Sequence, residues 1–208
     1  MPSDTPQAKD TVIVATSNAG KLIEIRSILG ARGLSFCTAS ELGASSLEVE
    51  ETGETFADNA LLKARAYAER FNMPALADDS GLEVDALHGA PGVFSARYAG
   101  SDGDDAANNA KLLREMVQVP SEGRTARFRC AMVLVWPDGR QVSASGVCEG
   151  SIAQEARGED GFGYDPLFLP AAVPDRSMAE LTLTEKNAIS HRGAALRSLR
   201  DELVASEL

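Results

Sequence analysis

Two adjacent carboxylates at the end of an apolar run constrain this chain more than any other feature. Ala75-Leu76-Ala77 reads as a short buried strand, and Asp78-Asp79-Ser80-Gly81 follows it directly. Two anions do not continue into a core unpaired, so the strand is expected to end there. Strand ends are where α/β proteins place their chemistry. Neighbouring residues on a strand point to opposite faces, so Asp78 and Asp79 are not expected to share one proton; one faces a cleft while the other braces the turn. Ser80-Gly81 is expected to turn the backbone sharply, and His88-Gly89-Ala90-Pro91-Gly92 forms a second, stiffer loop. A solvated Asx-type turn is the commonest fate of Asp-Asp-Ser-Gly taken alone, so its company decides its meaning.

That company begins near the start of the chain. Thr11 to Thr16 is a β-rich apolar strand, and Leu22, Ile25, Ile28 and Leu29 share one face of a helix stopped by Gly30 to Gly33. Between them, Ser17-Asn18-Ala19-Gly20-Lys21 sets backbone N–H groups and a lysine at a helix N-terminus, an arrangement suited to phosphate. It lacks the spacing of a Walker A loop, and a scaffold role is as common for such a turn. Thr55 and Asp58 form a capping-box-like start to a helix running to about Arg70, with Phe56, Ala60, Ala64, Tyr67 and Phe71 as its apolar face. Asn59 and Lys63, four apart, share a stripe beside that face.

The acidic loop Asp102 to Asp105 and a helix over Ala106 to Val119, with Leu112, Leu113, Met116 and Val117 inward, are assigned to scaffold. Thr125 to Trp136 and Gln141 to Cys148 read as a hairpin around Pro137-Asp138-Gly139, with Trp136 as a surface anchor at its tip. Gly158 to Pro166 then packs three glycines, Phe162, Tyr164 and Asp165 into nine residues. Glycines let backbone approach a flat ligand and an aromatic can stack on it, although a loop closing the hairpin lobe has the same composition. Ser190 is the expected N-cap of a last helix with Leu196, Leu199 and Leu203 inward. His191 and Arg192 in its first turn oppose the helix dipole, which an anionic or oxygen-rich ligand would offset.

Composition narrows the partners. Twenty Lys+Arg against 31 Asp+Glu give a net charge of −11, a poor footprint for tracking a nucleic-acid polymer or an anionic membrane. Cations for an anionic ligand must therefore be local. No stretch is long and apolar enough to span a bilayer. Residues 1–10 read as a frayed tail without a signal-peptide core, and 11–208 as a single domain. Cys37, Cys130 and Cys148 are odd in number and far apart, which suits buried thiols in a reducing cytoplasm rather than a zinc site or a disulfide framework.

Taken in order, Thr16-Ser-Asn-Ala-Gly-Lys21, Glu51-Thr-Gly-Glu-Thr-Phe-Ala-Asp-Asn59 with Lys63, Asp78-Asp79-Ser80-Gly81-Leu82, Gly89-Ala-Pro-Gly92, Ser95-Ala-Arg97-Tyr98, Phe162-Gly-Tyr-Asp165 and Ser190-His191-Arg192-Gly193 resemble the inosine triphosphate pyrophosphatase family, which hydrolyses dITP, ITP and XTP. The resemblance runs from Thr11 to Leu203. It implies an α/β fold of two lobes around a long mixed sheet with flanking helices, an active-site cleft between the lobes, a homodimer, and Mg²⁺-dependent cleavage of a purine nucleoside triphosphate to monophosphate and pyrophosphate. Carried over by position, it makes Asp79 the proton acceptor and a metal ligand, with Glu51 as second metal carboxylate beside the alternative Glu50. It gives Thr16, Ser17, Asn18, Ala19, Gly20, Lys21 and Lys63 to the triphosphate and Ser80 to substrate contact. Phe162, Gly163, Tyr164, Asp165 and Lys186 go to the nucleoside and phosphates, and His191 and Arg192 to the base.

Three other readings stand beside it. A nucleotide-sensing module would keep the pocket without turnover. A phosphatase of the haloacid dehalogenase kind needs Asp-x-Asp, which Asp78-Asp79 does not supply, and a single-stranded nucleic-acid binder stacking bases on Phe162 and Tyr164 conflicts with the charge.

Overall fold

The computed structural model describes residues 11–30, 34–100 and 103–205; the expected tail, residues 1–10, lies outside them. The elements in order are β1 (Thr11–Val14), α1 (Ala19–Leu29), β2 (Ser35–Cys37), α2 (Phe56–Phe71), β3 (Ala75–Val84), α3 (Asp105–Glu115), β4 (Thr125–Val135), β5 (Gln141–Ile152), β6 (Phe168–Pro170), α4 (Leu183–Ile189) and α5 (His191–Ala205). The strands form one six-stranded sheet in the order β2-β1-β3-β4-β5-β6. β1 runs parallel to β2 and β3, and β5 antiparallel to β6. This is the mixed α/β class expected.

The chain divides into two compact units, one holding the residues up to Asp79, Ala131–Ser145 and those from Ala195 on, the other holding Ser80–Cys130 and Gly146–Ala194. In the first, Ile13, Ala15, Ala60, Ala64, Tyr67, Ala75, Ala77, Val133 and Val135 build the core. Its small residues let α2 lie close to its neighbours. Thr55 caps α2 by accepting from the Asp58 N–H, as its sequence predicts. In the second, Leu82, Val84, Leu112, Met116, Phe128, Tyr164, Leu167 and Phe168 pack together. Buried Arg124 ties that unit by donating to the carbonyls of Met116, Val119, Ile152 and Ala153.

Three local expectations are corrected. β3 does not stop at Asp78 and turn at Ser80-Gly81; it runs straight on to Val84. The premise holds, since anions do not enter a core unpaired, but these two are paired, as described below. α3 spans Asp105–Glu115 rather than Ala106 to Val119, and Val117 is 71% exposed instead of inward. Past Met116 the N–H groups of Val117 and Val119 donate three residues back, to the carbonyls of Arg114 and Met116, so the helix tightens into a turn before Pro120, which has no N–H to extend it. β5 runs four residues beyond Cys148, to Ile152. Among the described residues no helix is long and apolar enough to cross a membrane.

Candidate active site

The first set of charged residues belongs to β3, α1, α2 and the segment before α2. Strand alternation sends Asp78 and Asp79 to different partners. Asp78 Oδ2 lies 3.0 Å from Lys21 Nζ of α1. Asp79 turns to α2, where Oδ2 accepts from Asn59 Nδ2 at 3.2 Å and Oδ1 lies 3.6 Å from Lys63 Nζ. The predicted stripe of Asn59 and Lys63 is thus a stripe addressed to Asp79.

Glu51 reaches the same lysine because its segment is moored twice on α2. The Leu47 N–H donates to the Tyr67 hydroxyl at 3.0 Å, and the Gly53 N–H to Asn59 Oδ1 at 2.8 Å. Gly53 sits so close that a Cβ there would meet Asn59 Oδ1 and Asp58 Cβ at 2.6 Å. The result places Glu51 Oε1 3.1 Å from Lys63 Nζ, while Glu50 is exposed. Of the two alternatives, Glu51 is therefore the carboxylate that joins Asp79.

Three carboxylates here face two ammonium groups. Burial pushes the Asp79 carboxyl above its ordinary range; Lys63 and Asn59 oppose the rise and Glu51 adds to it. Burial also depresses the Lys63 ammonium, but Asp79, Asp78 and Glu51 together outweigh it and hold its pKa above the usual lysine value. A divalent cation would add positive charge beside these carboxylates. Among the described residues no group of three or more His, Cys, Asp or Glu is arranged to hold a metal. Mg²⁺ does not need one, since it binds through one or two carboxylates and takes its other ligands from substrate phosphates and water. Glu51 and Asp79 fit that requirement.

The turn from Thr16 to Lys21 is knotted on itself. Asn18 caps α1, its Oδ1 accepting from the N–H groups of Gly20 at 2.8 Å and Lys21 at 3.3 Å. The Asn18 N–H in turn donates to Thr16 Oγ1 at 3.1 Å. Ser17 and Ala19 are exposed. The turn is preorganised, and two of the N–H groups expected for phosphate are held by Asn18.

The second set lies in β3 beyond Asp79, the loop 158–166, α4 and the start of α5. Lys186 Nζ of α4 donates to Asp165 Oδ2 at 2.8 Å, and the Phe162 N–H donates to the same oxygen at 3.0 Å. Burial pushes the Asp165 carboxyl up, with Lys186, the Phe162 N–H and Arg192 opposing it. Over the Phe162 ring stand two cations, Lys186 Nζ at 4.6 Å and the Arg192 guanidinium at 5.4 Å. Arg192 Nη2 also donates to Ser80 Oγ at 3.0 Å. Ser190 caps α5 through its Oγ, which accepts from the Gly193 N–H at 3.0 Å. Arg192, only 1% exposed, is thereby carried from the first turn of α5 to the aromatic ring, and these contacts offset its unfavourable place on the dipole.

Two predicted site residues are built into the core of this unit. The Tyr164 hydroxyl donates to the Ser95 carbonyl at 2.9 Å, and His191 is buried and stacks on Phe128 with ring centroids 4.7 Å apart. Sequence reasoning also missed contributors. Asp78 is the partner of Lys21, and Asp105 and Asn109 of α3, assigned to scaffold, hold the backbone of Gly163.

The tight fit at Gly161 is testable. It has φ +85°, and a Cβ there would collide with Asp165 Oδ2, whereas a Cβ at Gly163, φ +61°, would meet nothing within 4 Å. Gly161→Ala is expected to destabilise the protein by about 2–3 kcal/mol, from backbone strain plus the clash. Gly163→Ala should cost only about 1 kcal/mol. Denaturant melts of the two variants check the order.

The model of the Ham1 family matches residues 12–202. The chain is 53% identical over 190 residues to the dITP/XTP pyrophosphatase of Halalkalibacterium halodurans, covering 90% of this chain and 95% of that one. It is 50% identical over 193 residues to the protein of the same name from Bacillus subtilis, covering 93% and 96%. Among solved structures, the Staphylococcus aureus Ham1 protein matches with a TM-score of 0.82 and 40% identity over 94% of this chain and 99% of that one. The nucleoside-triphosphatase / dITP/XTP pyrophosphatase from Mycobacterium abscessus matches with a TM-score of 0.73 and 46% identity, covering 91% and 98%. A family model matched over residues 12–202, with relatives about half identical over nine tenths of the chain, means that the chain belongs to the Ham1 family.

Proposed function

We propose that this protein is a Mg²⁺-dependent pyrophosphohydrolase that cleaves the non-standard purine nucleoside triphosphates dITP, ITP and XTP to the monophosphate and pyrophosphate, clearing them from the nucleotide pool. The observation that carries the reading is the division of polar residues into two sets of different chemistry. Lys21, Lys63, Glu51 and Asp79 suit a polyphosphate with its cation. Phe162, Lys186, Arg192 and Asp165 suit a flat, oxygen-bearing base.

In this reading the triphosphate engages Lys21, Lys63 and the Thr16 to Lys21 turn, and Glu51 and Asp79 hold Mg²⁺. When bound, the ion neutralises phosphate charge and lowers the cost of generating hydroxide from water. Asp79 accepts the proton of a water attacking the α-phosphorus, a role suited to a carboxylate whose pKa lies above the ordinary range. The new bond joins the water oxygen to the α-phosphorus, and the bond to the α,β-bridging oxygen breaks with its electrons leaving on pyrophosphate. Lys21 and Lys63 offset the charge that collects there.

Base choice follows from polarity. Lys186 and Arg192 present donors beside Phe162, and a 6-oxo group accepts from them. The 6-amino group of adenine would face donor with donor, at about 1–3 kcal/mol per unsatisfied group. The reading includes a homodimer and a cytoplasmic location; none of Cys37, Cys130 and Cys148 is in a disulfide, as suits a reducing compartment.

The test is an assay of ITP, dATP and dGTP with and without Mg²⁺ that separates pyrophosphate from orthophosphate. Pyrophosphate as the first product, a preference of about tenfold or more for ITP over dATP, and loss of turnover without Mg²⁺ are expected. Orthophosphate as the first product overturns the cleavage position, and equal rates on ITP and dATP overturn the base assignment.

A further inference from the structure

α3 lies outside both sets, yet two of its side chains grip the peptide beside Phe162. Asp105 Oδ2 accepts from the Gly163 N–H at 2.6 Å, and Asn109 Nδ2 donates to the Gly163 carbonyl at 2.8 Å. The two residues stand four apart, one turn of helix, and so present their side chains together. Neither is needed to finish α3, because Asp104 is its N-cap, accepting from the Ala107 N–H at 2.9 Å. The Phe162 N–H is held separately by Asp165. The backbone is thus fixed on both sides of the aromatic ring, by one carboxylate before it and by α3 after it.

We propose that Asp105 and Asn109 are positioning residues for base recognition: by clasping both the N–H and the C=O of Gly163 they set where the Phe162 ring stands relative to Lys186 and Arg192. The inference rests on the proposed function and adds to it a specificity element in a helix otherwise read as scaffold. The physical ground is that a stacking ring contributes to affinity only if its loop does not have to be ordered by the ligand. A glycine at φ +61° is the residue least able to hold its own conformation, and it is the one to which α3 supplies both hydrogen bonds.

The experiment compares Asp105→Ala, Asn109→Ala, the double variant and Asp105→Asn, which keeps a carbonyl oxygen to accept the Gly163 N–H. KM for ITP is expected to rise about tenfold in the double variant, more than kcat falls. The inhibition constant of inorganic tripolyphosphate, a probe with no base, should change less than about twofold, and Asp105→Asn should recover most of the lost affinity for ITP. Hydrogen exchange of the peptide spanning 162–164 should accelerate in Asp105→Ala while α3 keeps its protection. A double variant with unaltered KM for ITP, or one in which ITP and tripolyphosphate weaken equally, overturns the proposal. If the unmodified protein does not hydrolyse ITP, the functional reading fails by itself. The exchange experiment then decides the clasp, and unchanged protection at 162–164 overturns it.

Discussion

Asp79→Asn is expected to lower kcat for ITP by roughly 10³-fold or more while leaving the protein folded. A general base contributes about 10²–10⁴-fold, and this substitution also removes one of the two carboxylates available to the metal. The fold should tolerate it for reasons visible around the residue. The amide that replaces the Asp79 carboxylate still offers an oxygen to Asn59 Nδ2, and Lys63 keeps Glu51 at 3.1 Å and loses only the longer 3.6 Å contact with Asp79. Burial already disfavours the Asp79 carboxylate in the folded state, so exchanging it for a neutral amide removes a charge the fold holds at a cost. Steady-state kinetics at saturating Mg²⁺, alongside a thermal melt, check both halves. Turnover within about tenfold of the unmodified protein would move the proton acceptor elsewhere. An unfolded variant would show that Asp79 is needed to hold α2 and β3 together.

What could be read from the sequence was what is local. The cap at Thr55, the apolar stripe of α2, the Asn59 and Lys63 stripe and the cap at Ser190 all lie within four residues of their partners, and their chemistry follows from helix geometry. The length of β3 is not local in this sense. Whether two carboxylates end a strand depends on their partners, and Lys21 and Lys63 come from helices that only the fold brings to them. Asp105 and Asn109 have the right spacing to act together, but their target lies 58 and 54 residues away, so nothing in α3 itself separates a clasp from a solvated face. Family resemblance carried residues such as Lys186 and Arg192 into the reading, while their mutual arrangement over Phe162 came from the structure.

The pair Asp165 and Lys186 should separate stability from recognition. Both side chains are less than a tenth exposed. Removing one partner of a buried ion pair typically costs about 3–5 kcal/mol, because the other charge is left in a low-dielectric site. Asp165→Ala is therefore expected to destabilise the protein strongly, and more than Lys186→Met, because Asp165 also accepts from the Phe162 N–H. Replacing both, as Asp165→Ala with Lys186→Met, removes the two charges together and should recover a large part of the lost stability. Activity should not follow. The double variant lacks the cation 4.6 Å from the Phe162 ring and the donor it offers a 6-oxo base, so its preference for ITP over dATP should shrink even where the fold is restored. Denaturant unfolding of the two single variants and the double one gives the coupling energy, and kcat/KM on the two substrates gives the discrimination. If base selectivity returned together with stability, the pair would be a structural brace, and the donors that read the base would have to be sought in Arg192 alone.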